Sequence, residues 1–385
     1  MVTRELEMFR EVGHWKPKHK ILRPDDLVSK SDKDFKLFEY VYHLTKEVCE
    51  KNPYRKNGEP TLVHPLNVVI NLRKAGVIDP ITLSIGLLHD NVEDRVDFYQ
   101  QKHKILNDAK GIRHLRSYAQ KMYHDLVVEL SNYTSEKNVN IIIDTVKILT
   151  RQKKEFYYKS IANMFDCEDK EIKKRAIVVK LADRIHNILS IETFNERERI
   201  HECLKNLFIL NNTKKYLLNT VGKNGIAITP SVDICPKLFK KCCKATYDAF
   251  LKICDLSKEK GSRKVSSLLQ LAFKKFYFEK GGLWEVTKLD KSEKHPMRLF
   301  QGIIRKYDAC LLHNYKMFDE REDNEKAYCR KFFAKLNPSE EFIKAIIDYK
   351  DAYALKELVA KLLYDLDYTL PGFLTTDLSK QGRIR

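Results

Sequence analysis

The segment GLLHDNVED, residues 86–94, brings one imidazole and three carboxylates close together in the chain: His89, Asp90, Glu93 and Asp94. Read as one helix, His89 lies four residues before Glu93 and Asp90 four before Asp94, so each pair shares a face one turn apart. Carboxylates crowded beside an apolar face are costly unless a cation compensates them. A divalent metal would be that cation, and it would polarise or deprotonate water. Two further residues fit such a centre. His64 stands just before Pro65 at the start of the preceding helix, and Asp183, in KLADRIHN, lies on a stripe with Ile177, Leu181, Ile185 and Ile188. Alone, His64 reads equally as a helix-start histidine, and Asp183 as an ion-pair partner of Lys180 or Arg184. Together His64, His89, Asp90 and Asp183 form a mixed nitrogen and oxygen set that suits Mn²⁺ or another borderline to hard divalent ion.

The elements that must position these residues are helical by pattern. Phe35, Phe38, Val41, Leu44 and Val48 make one stripe, and the turn-rich NPYRKNGEPT then breaks it. A second helix runs from about Pro65 to Gly76, a natural C-terminal signal. A third starts at Asp79-Pro80, an N-cap followed by proline, with Ile81, Ile85, Leu88 and Val92 as its core stripe. Residues 97–124 are basic and irregular in pattern, and KHKILNDAKGIRHLR within them reads as a solvated loop. A helical stretch spans 126–151, and another runs from about Glu171 to Ser190. The Gly/Pro-containing VGKNGIAITPSVDICP, residues 221–236, is the best domain boundary. The expected organisation is an N-terminal extension (1–32), a helical domain carrying the candidate site (33–220) and a second helical domain (221–385) that ends in a loose tail, TTDLSKQGRIR. The acidic DEREDNE run at 319–325 reads as a solvated helix face.

Composition agrees with an all-α fold: only 13 Gly and 11 Pro interrupt 385 residues. The 71 Lys and Arg against 53 Asp and Glu leave a net charge of +18, which favours polyanionic partners and says nothing about fold. Cys235, Cys242, Cys243 and Cys254 lack CxxC spacing and a nearby His, so they read as reduced thiols rather than a zinc site. There is no apolar leader and no run long enough to span a bilayer, so a cytoplasmic protein with no membrane partner is expected. Walker A, GxGxxG and HExxH patterns are absent.

Four motifs carry a resemblance. YRKNGEPTLVHP at 54–65 is similar to an RK-x-GEPY-x-x-HP signature, LLHDNVED at 87–94 to HDxxED, ILTR at 148–151 to a short VTK/LTR element, and VKLADRIHN at 179–187 to KLADRxHN. In this order they resemble the hydrolase domain of RelA/SpoT homologues, over roughly residues 35–215. The resemblance implies an all-helical HD-domain bundle with one Mn²⁺ and hydrolysis of the 3′-pyrophosphate of guanosine tetra- or pentaphosphate to GDP or GTP and pyrophosphate. It implies His64, His89, Asp90 and Asp183 as metal ligands, with Glu93 and Asp94 orienting and activating water. Arg55 would stack on guanine, Lys56 would lie near phosphates, and Asn187 and Ser190 would contact ribose or phosphates. Thr61, Asn57, Arg95 and Ser190 depart from the common pattern without removing a ligand. No counterpart of the family's synthetase half is visible after residue 220. The same metal chemistry admits another nucleotide, or a pyrophosphorylated tRNA 3′ end with a tRNA or toxin partner. A nucleotide-binding regulator without catalysis is the non-enzymatic alternative.

Overall fold

A computed structural model describes residues 4–13, 16–51, 54–55, 58–227, 233–280, 292 and 294–385. The described residues form helices joined by turns. They contain no strand, only the isolated bridges Tyr54–Pro60 and Leu378–Ile384. The fold is all-α, as the sparse breakers imply.

The N-terminal half contains α1 (Arg4–Arg10), the short α2 (Pro24–Leu27), α3 (Phe35–Lys51), α4 (Val63–Ala75), α5 (Pro80–Leu88), α6 (Asn91–Lys102), α7 (Ala109–Leu130), α8 (Glu136–Leu149), α9 (Tyr157–Asp166), α10 (Lys170–Leu189) and α11 (Glu196–Thr220). Then follow the short α12 (Gly222–Ala227), α13 (Ile234–Glu259), α14 (Ser266–Lys280), α15 (Ile303–Leu311), α16 (Tyr315–Phe332) and α17 (Glu340–Tyr364). Local chemistry sets several boundaries. The Asp79 carboxylate accepts from the Ile81 and Thr82 amides at 3.1 and 3.2 Å, which starts α5 with Pro80 in its first turn. Gly76, at φ 107°, closes α4 in the left-handed region.

α10 is the hub. It packs against α4, α5, α8, α9, α11 and α13, and from Ala176 to Leu189 only Lys180 and Asn187 are not buried. A helix apolar over most of its circumference has to sit inside a bundle. Close approach of α4 and α5 depends on Gly86, where a Cβ would come within 2.9 Å of the Leu72 side chain. This packing brings the start of α4, the end of α5 and the middle of α10 together.

The structure departs from the sequence pattern in five places. Residues 86–94 are not one helix: α5 ends at Leu88 and α6 begins at Asn91, with His89 and Asp90 in the break. Residues 109–130 are helix rather than irregular, because Leu115, Ala119, Met122, Leu126 and Leu130 form a buried stripe among the basic residues. The stretch 126–151 divides between α7 and α8, where Ser135 caps α8. The C-terminal tail is packed, not loose: Leu378 and Ile384 are buried, and the Thr375 amide donates to Asn212 Oδ1 at 2.8 Å. In the acidic run, Glu325 is buried between Lys306 and Lys350, at 2.7 Å from each.

The apolar core continues past residue 220. α13 lies along α17 and also packs on α10 and α11. The N-terminal residues dock as well, with buried Phe9 beneath the Arg199 guanidinium at 4.2 Å and reciprocal 2.8 Å bonds between Lys18 backbone and the Asn67 amide. All nine cysteines are free thiols, and burial raises those of Cys235, Cys242, Cys243 and Cys254.

Candidate metal centre and cleft

The break between α5 and α6 builds the centre. On an unbroken helix, consecutive side chains point about 100° apart. With His89 and Asp90 outside both helices, the His89 Nε2 and an Asp90 carboxylate oxygen meet at 3.0 Å. His64, on the first turn of α4, places its Nε2 3.1 Å from that of His89 and 3.3 Å from Asp90. His64, His89 and Asp90 form the tight cluster, and Asp183 of α10 stands at its edge, 3.5 Å from His64 and 4.0 Å from His89.

Hydrogen bonds behind the ligands settle which atoms face inward. His89 Nδ1 donates to the Gly86 carbonyl at 2.9 Å, so its Nε2 offers a lone pair to the centre. His64 Nδ1 lies 2.8 Å from His186 Nδ1, which also faces the Arg55 guanidinium at 3.5 Å. A guanidinium can only donate, so His186 Nδ1 accepts and His64 Nδ1 carries the hydrogen. In these tautomers both Nε2 atoms face the Asp90 and Asp183 carboxylates. The donor set and its spacing fit a divalent ion: adjacent ligands bonded at about 2.1 Å in octahedral geometry lie about 3 Å apart.

Burial opposes charge on His89, but Asp90 and Asp183 outweigh it and raise its pKa to about 9. Burial holds His64 and His186 below the ordinary imidazole value. Against the effect of burial, Lys180 at 2.9 Å and then His89 keep Asp183 ionised, and Asn187 Nδ2 donates to Asp183 at 2.5 Å.

Glu93 and Asp94 occupy the first turn of α6, where the helix N-terminus favours negative charge. Loss of solvent, then the Asp90 charge, pushes both carboxyls upward, Asp94 to about 8 although it is the more exposed. Both open onto a cavity of about 360 Å³ that also meets His64, Asp90 and Asp183. Cations surround it: Arg55, Arg151, Lys180, Arg184 and Lys205. The cleft can therefore place a phosphate ester between a metal centre, a carboxyl pair and a cationic wall.

No family model matches the chain, and no solved structure does. Curated relatives are found. A probable guanosine-3′,5′-bis(diphosphate) 3′-pyrophosphohydrolase of Mycoplasma pneumoniae is 34% identical over 138 residues, 36% of this chain and 16% of that protein. The guanosine-3′,5′-bis(diphosphate) 3′-pyrophosphohydrolase of Aquifex aeolicus is 27% identical over 159 residues, 41% of this chain and 18% of that one. A GTP pyrophosphokinase of Streptomyces coelicolor is 32% identical over 145 residues, 38% of this chain and 14% of that protein. Over these segments the chain is similar to RelA/SpoT-type proteins. The matched segment spans under a fifth of the length of each of these relatives.

The residues expected at the site do not all meet. His64, His89, Asp90 and Asp183 converge, and Glu93, Asp94, Arg55 and Asn187 line the cleft or touch its ligands. A tight turn through Gly58, at φ 80°, sets Arg55 at the mouth, its amide donating to the Glu59 carbonyl at 2.8 Å. Ser190 is buried at the C-terminus of α10 and does not line the cavity, and Lys56 lies outside the described residues. His186 is the main residue that motif reading passed over. Its place three residues after Asp183, on the same face of α10, was the available signal. Lys180, three residues before Asp183, carries the same signal. Tyr157 and Lys205 line the cavity from α9 and α11 with no pattern to distinguish them.

Proposed function

We propose that the chain is a metal-dependent phosphohydrolase that removes the 3′-pyrophosphate of guanosine tetra- or pentaphosphate, with Mn²⁺ as its metal. The convergence of His64, His89 and Asp90, with Asp183 3.5–4.0 Å from the two imidazoles and the Glu93 and Asp94 carboxyls opening onto the same cleft, carries this reading. The names of the relatives supply the substrate class.

His64, His89, Asp90 and Asp183 would hold the ion. When bound, it would supply Lewis-acid polarisation of a phosphoryl oxygen and a lower pKa for water. Glu93 and Asp94 orient the attacking water, and their raised affinity for protons suits them to accept its proton. Water oxygen bonds to the phosphorus attached directly to the 3′ oxygen, the bond from that phosphorus to the 3′ oxygen breaks, and the proton passes to the departing 3′ oxygen. GDP or GTP and pyrophosphate result. Arg151 and Lys180 offset the charge of the phosphates, and the planar guanidinium of Arg55 stacks on the base at the mouth.

The test is pyrophosphate release from guanosine tetraphosphate with added Mn²⁺. Wild type should release it, while Asp90→Ala and the Glu93→Gln/Asp94→Asn double variant should not. A folded, Mn²⁺-loaded wild type that releases none overturns the substrate assignment. Full activity in Asp90→Ala overturns the assigned metal centre.

A further inference from the structure

A second cavity, of about 430 Å³, adjoins the hydrolytic cleft and shares with it Glu93, Asp97 and Arg151. Its floor is apolar: Val92, Val96, Leu115 and Ala119 are buried there, with Phe156 beside them. Its rim carries Arg116, Arg151, Lys153 and Lys154 against Glu93, Asp97 and Glu155, and the cations differ in how they are neutralised. Lys153 is paired with Asp97, and Arg151 lies 3.6 Å from Glu93. Arg116 and Lys154 instead reach backbone carbonyls, those of Lys153 (3.4 Å) and Asn107. A carbonyl leaves a full positive charge uncompensated, so both remain able to take an anion.

The backbone around the cavity is also unusual. Lys154 and His313, which both line it, have φ of 60° and 54°, a region that non-glycine residues seldom adopt. Strained residues of this kind gather where a ligand is held. The volume is that of a small-ligand site, and an apolar floor with a few polar groups at one edge is its usual make-up. A planar aromatic body with an attached phosphate matches both parts.

We propose that this second cavity binds a nucleotide, with its base against the floor around Leu115 and Ala119 and its phosphate on Arg116 and Lys154. The site is separate from the metal centre and needs neither metal nor hydrolysis. Because Arg151 walls both cavities, an anion in either one draws on the same guanidinium.

The test uses the full chain in a chelating buffer, titrated by calorimetry with GMP and AMP, with guanosine and inorganic phosphate as half-ligand probes. Saturable binding of at least one monophosphate is expected, tighter than either half. Arg116→Glu/Lys154→Glu should weaken it by at least about tenfold, since two charge-assisted contacts become repulsive. Arg55→Glu, which alters only the hydrolytic cleft, should leave it unchanged. Both substituted rim residues are exposed, and matching thermal melts will confirm that the variant folds. No saturable binding overturns the proposal, as does unchanged binding in the rim variant or loss of binding in Arg55→Glu. Because no turnover is involved, a failure here leaves the hydrolytic reading standing, and the converse holds as well.

Discussion

Substituting His186 tests the logic of the metal centre without touching a ligand. His186 Nδ1, 2.8 Å from His64 Nδ1, is the acceptor that keeps the hydrogen on that side of the ring. In His186→Ala, the buried His64 N–H loses its partner, at a cost of about 1–3 kcal/mol. The ring can instead move its hydrogen to Nε2, which withdraws the lone pair from the centre. Either route weakens the metal, and loss of such a supporting partner commonly costs about 10–100-fold in affinity. That range corresponds to about 1.4–2.7 kcal/mol, in line with the first figure. Calorimetric titration with Mn²⁺ measures it in the absence of any substrate. His186→Gln, whose side-chain carbonyl can accept from His64, should recover part of the loss, whereas a merely space-filling role would not distinguish Gln from another residue of similar size such as Met. Mn²⁺ affinity within twofold of wild type for a folded His186→Ala would refute the tautomer assignment.

Two further outcomes follow from the charges. The metal-free centre holds a proton on His89, whose pKa is raised to about 9, so Mn²⁺ must displace it. Calorimetry in buffers of different ionisation enthalpy should show at least about one proton released per ion at pH 7.5, from His89 and in part from Asp94, whose pKa is raised to about 8, and its absence would contradict the charge reading. A histidine with a raised folded pKa stabilises the fold fully below its unfolded value and loses that contribution as pH rises through the folded one. Metal-free protein should therefore lose stability between pH 6.5 and about 9, a loss that Mn²⁺ removes. Below pH 6.5 the lowered values of His64, His186 and His201 (about 3) destabilise in the opposite direction, so thermal melts should peak between the two regimes. Remote from the cleft, Lys306, Lys350, Glu325 and Asp351 form a buried, electrically neutral quartet, with Lys350 at 2.7 Å from Glu325 and 2.6 Å from Asp351. Lys350→Met should cost about 3–5 kcal/mol in urea unfolding, because it leaves a buried negative charge unpaired. A loss under about 1 kcal/mol would mean that water reaches the quartet.

The candidate site was legible because its residues are chemically conspicuous and their spacing is largely local. His89, Asp90, Glu93 and Asp94 announce themselves in one segment, and Asp183 interrupts an apolar stripe where a carboxylate needs a reason to be. The geometry was not legible in the same way. Helical periodicity places His89 and Asp90 on diverging faces, and only the break at the end of α5 lets neighbouring residues address one ion. Nothing in local propensity signals that break, since both residues retain right-handed φ and ψ. Helix α7 escaped for a different reason: its stripe of Leu115, Ala119 and Met122 is diluted by Lys, Arg and His on three sides, and burial against α6 and α8 decides what pattern alone leaves ambiguous. The tail illustrates the limit most clearly. Its polar composition reads as loose, yet Asn212 of α11 accepts from its Thr375 amide, 163 positions away, and Leu378 and Ile384 are buried. Contacts of that kind belong to the fold as a whole, and they also explain why a site built by residues 55–187 depends on packing that runs to the last residues of the chain.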